Sequence, residues 1–358
     1  MPTDDLRILA LRELSSPAAL IGEIPRSGRA ASTVARARRA IHRILTGADD
    51  RLVVVIGPCS VHDPDAALEY AGRLKGARCR FDRDLEVIMR LYFEKPRTTL
   101  GWKGLINDPG LDGTFDIDRG LRLARQLLLA VGNLGVPAGC EFLDTSTPQY
   151  IADLVSWAAI GARTTESQVH REMASGLSCP VGFKNGTGGD VQIAVDAVLS
   201  ASQSHHFMAI TKGGRSAIAT TTGNPDCHII LRGGKAPNYD AASVAAASRL
   251  AARAGLRPAI MIDASHGNSD KIADCQPVVV ADASRQIETG ERRIIGMMVE
   301  SNLLDGRQDV TAGAALAYGR SITDACIGWE ASVAVLERLA RAAERRRHLV
   351  FAQSRGLQ

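Results

Sequence analysis

Residues 52–60 read LVVVIGPCS. Five apolar residues run without alternation, four of them β-branched, which suits a strand buried on both faces. The run stops at Gly57-Pro58, and a thiol and a hydroxyl follow at once. Seven further stretches repeat this plan: LEVIMRLYF (85–93) before EKPRTT, AGCEFL (138–143) before DTSTP, AAIGAR (158–163) before TTES, VGFK (181–184) before NGTGG, HIILR (228–232) before GGK, AIMID (259–263) before ASHGNS, and IIGMMVE (294–300) before SNLLDG. Between them lie helix-like segments such as DPDAALEYAGRLKG (63–76), DRGLRLARQLLLAVGNLG (118–135), VQIAVDAVLSAS (191–202) and DAASVAAASRLAARAG (240–255), several with an Asp placed to cap the first turn. A last helical segment covers roughly 323–347. Eight strands alternating with eight helices predict an α/β fold, a (β/α)8 TIM barrel, with an open doubly wound sheet as the structural alternative.

Two pieces fall outside the repeat. Residues 1–45 precede the first strand, and HHFMAITKGGRSAIATTTG (205–223) reads as two short strands around a Lys-Gly-Gly-Arg turn. The expected organisation is an N-terminal extension (1–45) and a catalytic barrel (46–350), with a β-hairpin inserted before strand six at 205–223.

The chain has 358 residues, 45% hydrophobic and 23% charged, which excludes disordered, collagen-like and coiled-coil classes. A formal net charge of +4 is far from the bias of a nucleic-acid binder. The basic runs Arg36/Arg38/Arg39 and Arg345-Arg346-Arg347 read as solvated helix surface. Seven cysteines, an odd number without any C-x-x-C, point to a reducing compartment. The start, MPTDDLRILALREL, lacks a signal-peptide pattern, and no apolar run approaches a membrane span. The expectation is a cytoplasmic protein without nucleic-acid or membrane partners.

Active sites of such barrels sit at the carboxyl ends of the strands. Two groups of residues fall there. Arg90, Lys95, Arg97, Arg163, Lys184 and Arg232 are cations that would repel one another unless anions lie among them; arginine forks match phosphate and carboxylate oxygens, and lysine adds a movable point charge. The glycines of NGTGG and RGGK would let backbone amides approach phosphate. Cys59, Glu141, Asp263, His266, Glu300 and Asp324 form a mixed N/O/S donor set that suits a first-row divalent ion (Mn, Fe, Co or Zn) rather than Mg or Ca. The other six cysteines and His205-His206 read as packing. No P-loop, G-x-S-x-G elbow or dinucleotide fingerprint is present.

Several long motifs resemble one family. They are GPCSVHDP (57–64), FEKPRTTLGWKGLINDPGLDG (93–113), IGARTTESQVHREMASGLSCPVGFKNGT (160–187), HIILRGGKAPNY (228–239), DASHGNS (263–269), VESN (299–302) and YGRSITDACIGWE (318–330). They are similar to type I 3-deoxy-D-arabino-heptulosonate 7-phosphate (DAHP) synthases, the branch regulated by aromatic amino acids. The resemblance runs almost end to end. It implies a metal-dependent, aldol-type condensation of phosphoenolpyruvate with erythrose 4-phosphate at the entry to the shikimate pathway.

The resemblance also implies roles. Metal ligands fall on Cys59, His266, Glu300 and Asp324. A phosphoenolpyruvate site falls on Arg90, Lys95, Arg163, Lys184 and Arg232, with the Ala162 amide and Glu141 holding a water. An erythrose 4-phosphate site falls on Lys95, Pro96, Arg97 and Thr98. Asp263 becomes a partner behind the metal site, Lys95 a candidate acid, and Asp324 or His266 a handler of the water's proton. An effector site is expected near Asp4, Asp5, Gln149, Leu177, Ser178, Phe207, Ala209 and Ala219, for phenylalanine or tyrosine ahead of tryptophan. A homodimer or homotetramer is implied, with the extension crossing between subunits. Other readings stay open: a Schiff-base aldolase using Lys95 or Lys184, a sugar-phosphate sensor without turnover, and the related eight-carbon synthases, which KPRTT fits less well.

Overall fold

A computed structural model describes residues 3–311 and 314–354, with side chains to 350. After an irregular start come helices α1 (Pro17–Glu23) and α2 (Gly28–Leu45). The repeat begins with β1 (Leu52–Gly57), α3 (Pro64–Arg80), β2 (Leu85–Arg90), α4 (Ile117–Leu134), β3 (Ala138–Glu141), α5 (Thr147–Ile151), β4 (Trp157–Ile160), α6 (Gln168–Ser175), β5 (Val181–Lys184) and α7 (Gln192–Ala201). The strands β6 (His206–Ile210) and β7 (Ser216–Thr220) interrupt it, and β8 (Cys227–Leu231), α8 (Ala241–Arg253), β9 (Ile260–Asp263), α9 (Gln276–Glu288), β10 (Ile294–Glu300) and α10 (Trp329–Ser354) complete it. Eight strands close into a parallel barrel in the order β1-β10-β9-β8-β5-β4-β3-β2, while β6 and β7 form a separate antiparallel hairpin. The expected barrel and inserted hairpin are both present.

The unalternating apolar runs are explained by this closure. Every residue of β1, β2 and β10 is buried. Leu52, Val54 and Ile56 pack outward under the helices, whereas Val53 and Val55 join Ile88, Trp157, Ile230 and Met298 inside. That inner cluster includes Ile41, Ile44 and Leu45, so α2 closes the floor of the barrel. Asp63, Asp116 and Asp240 cap α3, α4 and α8 through backbone N–H groups of the first turn. Among the described residues no helix is long and apolar enough to cross a membrane.

Three details depart from the sequence reading. The last helix starts at Trp329, not near 323, because 321–327 pairs its backbone with 301–307 and lies as a loop over the strand ends. Arg38 is not solvated surface: it donates to the carbonyls of Ala152 (2.7 Å) and Val155 (2.7 and 3.1 Å), pinning α2 to the barrel. Arg346 is buried as well, at 7% exposure.

The loop after β2 sits against α4 at Gly120. A Cβ there would fall 2.1 Å from the Ile106 carbonyl oxygen, so the backbones must touch. Gly120→Ala should destabilise by about 2 kcal/mol or more, because the clash is with backbone. Gly76→Ala, on an exposed helical position with nothing within 4 Å, should instead stabilise by up to about 1 kcal/mol. Urea midpoints of the two variants, moving in opposite directions, check the packing.

Candidate active site

The strand ends deliver the expected residues to one cleft. Arg90, Glu141, Lys184, Asp263 and Glu300 are the last residues of β2, β3, β5, β9 and β10. Cys59 follows β1, Lys95 follows β2, Ala162 and Arg163 follow β4, and Arg232 follows β8. His266 follows β9, and Asp324 lies on the loop after β10. Arg90, Lys95, Arg97, Glu141, Ala162 and Arg163 line a common cavity with Lys184, Arg232, His266 and Asp324, and Pro96 completes its wall.

The floor is held by buried ion pairs. Arg90 is 1% exposed; its Nη2 lies 3.0 Å from Glu300 Oε1, and its guanidinium stacks 3.6 Å above the Tyr92 ring. Arg90 Nη1 donates to the carbonyls of Pro58 and Cys59. Burial is the largest single influence and works against its charge, but Glu300 together with Tyr92, Cys59 and Glu141 outweighs it and raises the pKa. Lys184 Nζ donates to Asp263 Oδ2 at 2.9 Å, and Asp263 also accepts from Ser265 Oγ at 2.5 Å. Burial acts against the Asp263 carboxylate, yet Lys184 and His266 hold its pKa well below the usual range. The pair weighs against Lys184 as a free amine for imine chemistry. Lys95 Nζ donates to Cys59 O (3.2 Å) and Sγ (3.3 Å). Burial lowers the Lys95 pKa, but the surrounding sulfur and carboxylates more than reverse it, so the residue stays cationic.

Cys59, Glu300 and Asp324 offer ligand atoms within 4.8 Å of one another. His266 adjoins them without joining this set: its Nε2 is 3.8 Å from Glu300 Oε1, while its Nδ1 faces Asp263 Oδ2 at 3.0 Å. Burial and Glu300 push the Cys59 thiol up, an effect that a cation at the cluster would oppose. Glu300 Oε1 is buried with no donor aligned on it. Sulfur, carboxylate and imidazole donors around a buried carboxylate oxygen whose only close cation, Arg90, makes no aligned hydrogen bond to it fit a divalent transition ion.

The rim is looser. Arg163 is exposed and donates to Thr98 Oγ1 at 3.1 Å, and Arg97 donates to Trp102 O within its own loop at 2.8 Å. The loop glycines have a packing reason in addition to the one expected: a Cβ on Gly233 would fall 2.4 Å from the Gly267 carbonyl carbon, and one on Gly234 2.3 Å from Gly189 Cα. Gly161 makes room for Glu141, whose Oε1 would lie 2.0 Å from a Cβ there. Tyr92, Gly161, Thr187, Lys271 and Thr323 were not read from the sequence. Gly161 inside IGAR, Tyr92 two residues past Arg90, Thr187 inside NGTGG and Thr323 inside YGRSITDACIGWE carry a signal that could find them; Lys271 carries none.

The hairpin forms a second constellation. Phe207 pairs with Ala219 and Ala209 with Ala217 on one half-buried face, while Met208 and Ile218 point out at 92% and 79% exposure. Lys212 at its tip donates to Gln149 O, and Ala18 N donates to Lys212 O at 2.7 Å. Leu177 packs on the core and Ser178 is exposed. Asp4 and Asp5 are exposed, and their hydrogen bonds stay within the arm.

The DAHP synthetase I family model matches residues 29–337. The chain belongs to the DAHP synthetase I family. Among its relatives is the Phe-sensitive phospho-2-dehydro-3-deoxyheptonate aldolase of Escherichia coli (strain K12), 60% identical over 344 residues, 96% of this chain and 98% of the relative. The Tyr-sensitive enzyme of the same strain is 52% identical over 327 residues, 91% and 92% of the two chains. The solved phospho-2-dehydro-3-deoxyheptonate aldolase of Francisella tularensis SCHU S4 superimposes with a TM-score of 0.93 at 50% identity, covering 95% of this chain and 99% of that one. Family membership agrees with the resemblance read from the motifs.

One buried group ties the Lys95 loop to its neighbour. Glu94 is 2% exposed and accepts from the amides of Leu143 (3.4 Å) and Asp144 (3.3 Å). Burial, helped by Asp144, pushes its carboxyl up to about 8 from 4.5. A raised carboxyl pKa contributes stability that is fully present below 4.5 and is lost as pH rises through 8. The urea midpoint should therefore fall across that window, and Glu94→Gln should flatten the fall by on the order of a few kcal/mol. An unchanged slope in the variant would contradict this protonation.

Proposed function

We propose that this chain condenses phosphoenolpyruvate with D-erythrose 4-phosphate and water, giving DAHP and phosphate, as a 3-deoxy-7-phosphoheptulonate synthase serving aromatic amino acid biosynthesis. The carrying observation is a cleft in a DAHP synthetase I barrel where Arg90, Lys95, Arg163, Lys184 and Arg232 surround a Cys59/Glu300/Asp324 cluster. Two phosphorylated anions suit that charge, and one neutral substrate would leave it uncompensated.

In this reading Arg163 and Arg232 take the phosphate of phosphoenolpyruvate at the rim. Arg90, Lys95 and Lys184, fixed on the floor by Glu300, Cys59 and Asp263, take its carboxylate. Pro96, Arg97 and Thr98 place the sugar phosphate so that the enol carbon faces the aldehyde. A divalent transition ion held by Cys59, Glu300, Asp324 and His266 would supply Lewis acidity at the aldehyde oxygen. Lys95 Nζ is placed to protonate the oxygen that develops negative charge there. Glu141 and the Ala162 amide orient the water that adds at the enol-phosphate carbon, and Asp324 or His266 accepts its proton. Cleavage of the C–O bond then releases phosphate. Orientation of two anions in one pocket carries much of the acceleration.

Regulation and assembly belong to the same proposal. The Phe207/Ala209/Ala219 face with Gln149, Leu177 and Ser178 supports an aromatic amino acid site, phenylalanine or tyrosine, completed by Asp5 of a second copy. Leu6, Ile8, Leu9 and Leu11 are 52–103% exposed on the arm, which supports its burial across a homodimer or homotetramer.

Phosphate release should require both substrates, vanish with a chelator, and return when a divalent transition ion is restored. Cys59→Ala should lose roughly 10²-fold or more, with added metal giving no rescue. Activity that survives chelation would sink the metal role; release without erythrose 4-phosphate would sink the condensation.

A further inference from the structure

The amino-terminal end of the barrel, opposite the cleft just described, holds a second cavity of about 370 Å³. Its wall is divided by chemistry. Ile44 and Leu45 of α2, Pro258, Ile294 and Ile295 at strand starts, and Val350 of α10 form an apolar side. Six arginines form the rest, with Gly47, Asp49 and Asp50.

The arginines are not equally compensated. Arg51 pairs with Asp49 and Glu86, Arg293 with Glu291, and Arg347 with Asp50 and Asp84. Among the described residues, Arg257, Arg292 and Arg346 have no carboxylate within 4.0 Å. Arg346 is the telling case, at 7% exposure. Its Nη1 donates to the carbonyls of Glu291 (3.2 Å) and Ile294 (3.3 Å), and its Nη2 to that of Asp50 (2.8 Å). Three of about five guanidinium N–H groups therefore meet neutral oxygens, and Asp50 and Glu291 act on the buried charge only from beyond ion-pair distance. Burial lowers its pKa accordingly. Arg257 is also held in place: it donates to Thr46 O and lies across Gly47, where a Cβ would fall 2.3 Å from its Nη2.

We propose that this cavity binds a small organic carboxylate with a compact apolar body. Arg257, Arg292 and Arg346 receive the carboxylate, and the Ile44/Leu45/Ile295 side receives a ring or branched chain. The volume is in the range of small-molecule sites, and guanidinium forks match a carboxylate bidentately. The site lies at the other end of the barrel from the strand-end cleft, and none of its lining residues comes from the hairpin.

Titration calorimetry of the full chain with 3-phenylpropanoate tests this, since that probe carries a carboxylate and a ring but no amino group. One saturable site per chain is expected, with a Kd on the order of 1 mM or tighter. The neutral alcohol 3-phenylpropanol should bind at least about tenfold more weakly. The double variant Arg257→Ala/Arg292→Ala, at exposed positions, and Val350→Trp, which fills the cavity from α10, should each lose at least about tenfold. Circular dichroism of both variants should match the parent. Absence of saturable binding, equal binding of the neutral alcohol, or binding unchanged in both folded variants would overturn the proposal, the last because the probe would then sit elsewhere.

Discussion

Two buried ion pairs, Arg90–Glu300 and Lys184–Asp263, set the terms for the carboxyl end of the barrel. Each places a cation and a carboxylate at or below 5% side-chain exposure. Removing one partner of such a pair typically costs about 3–5 kcal/mol, because the other charge is left buried and alone. The pairs do more than cancel charge. Glu300 also faces His266 and the Cys59/Asp324 cluster, and Asp263 also faces His266 and Ser265. In a floor built this way the buried charges are paired before any substrate arrives. Among the described residues the rim arginines have no carboxylate within 4.0 Å, so the cleft grades from a paired base to a less compensated mouth, which is the arrangement that draws anions inward.

Most of this was legible in the chain, for a physical reason. A closed parallel barrel buries both faces of every strand, so its strands stand out as unbroken apolar runs, and its topology sends each following residue to one rim. That is why Cys59, Arg90, Lys184 and Glu300, far apart in sequence, could be grouped beforehand. What could not be read depends on contacts between elements. The sequence pattern starts α10 too early because 323–328 is apolar enough to pass for helix, while the backbone of 321–327 pairs with 301–307. Arg38 and Arg346 looked solvated because helical periodicity does not show which carbonyls lie beneath a basic face. Tyr92 under Arg90 and Lys271 beside Asp324 depend on side-chain direction, and Lys271 further depends on a left-handed backbone, φ 60°, that its neighbours do not announce.

The two ends of the barrel use arginine differently. At the carboxyl end, strand termini aim charged side chains into a shared space, and buried carboxylates hold them there. At the amino end, α2 seals the floor with Ile41, Ile44 and Leu45, and the arginines around it are divided between paired and unpaired. The hairpin and the arm leave apolar side chains such as Met208, Ile218 and Leu9 in solvent, surface that a single copy of the chain does not cover.

If the strand ends hold one metal-binding set that includes the Cys59 sulfur, a bound ion should report that sulfur in its spectrum. Titrating cobalt(II) into metal-free protein and recording the near-ultraviolet spectrum tests it directly. The expected result is an intense thiolate-to-cobalt absorption that saturates at one ion per chain and is absent in Cys59→Ser. A cobalt complex without that band, or one whose band persists in Cys59→Ser, would contradict the account.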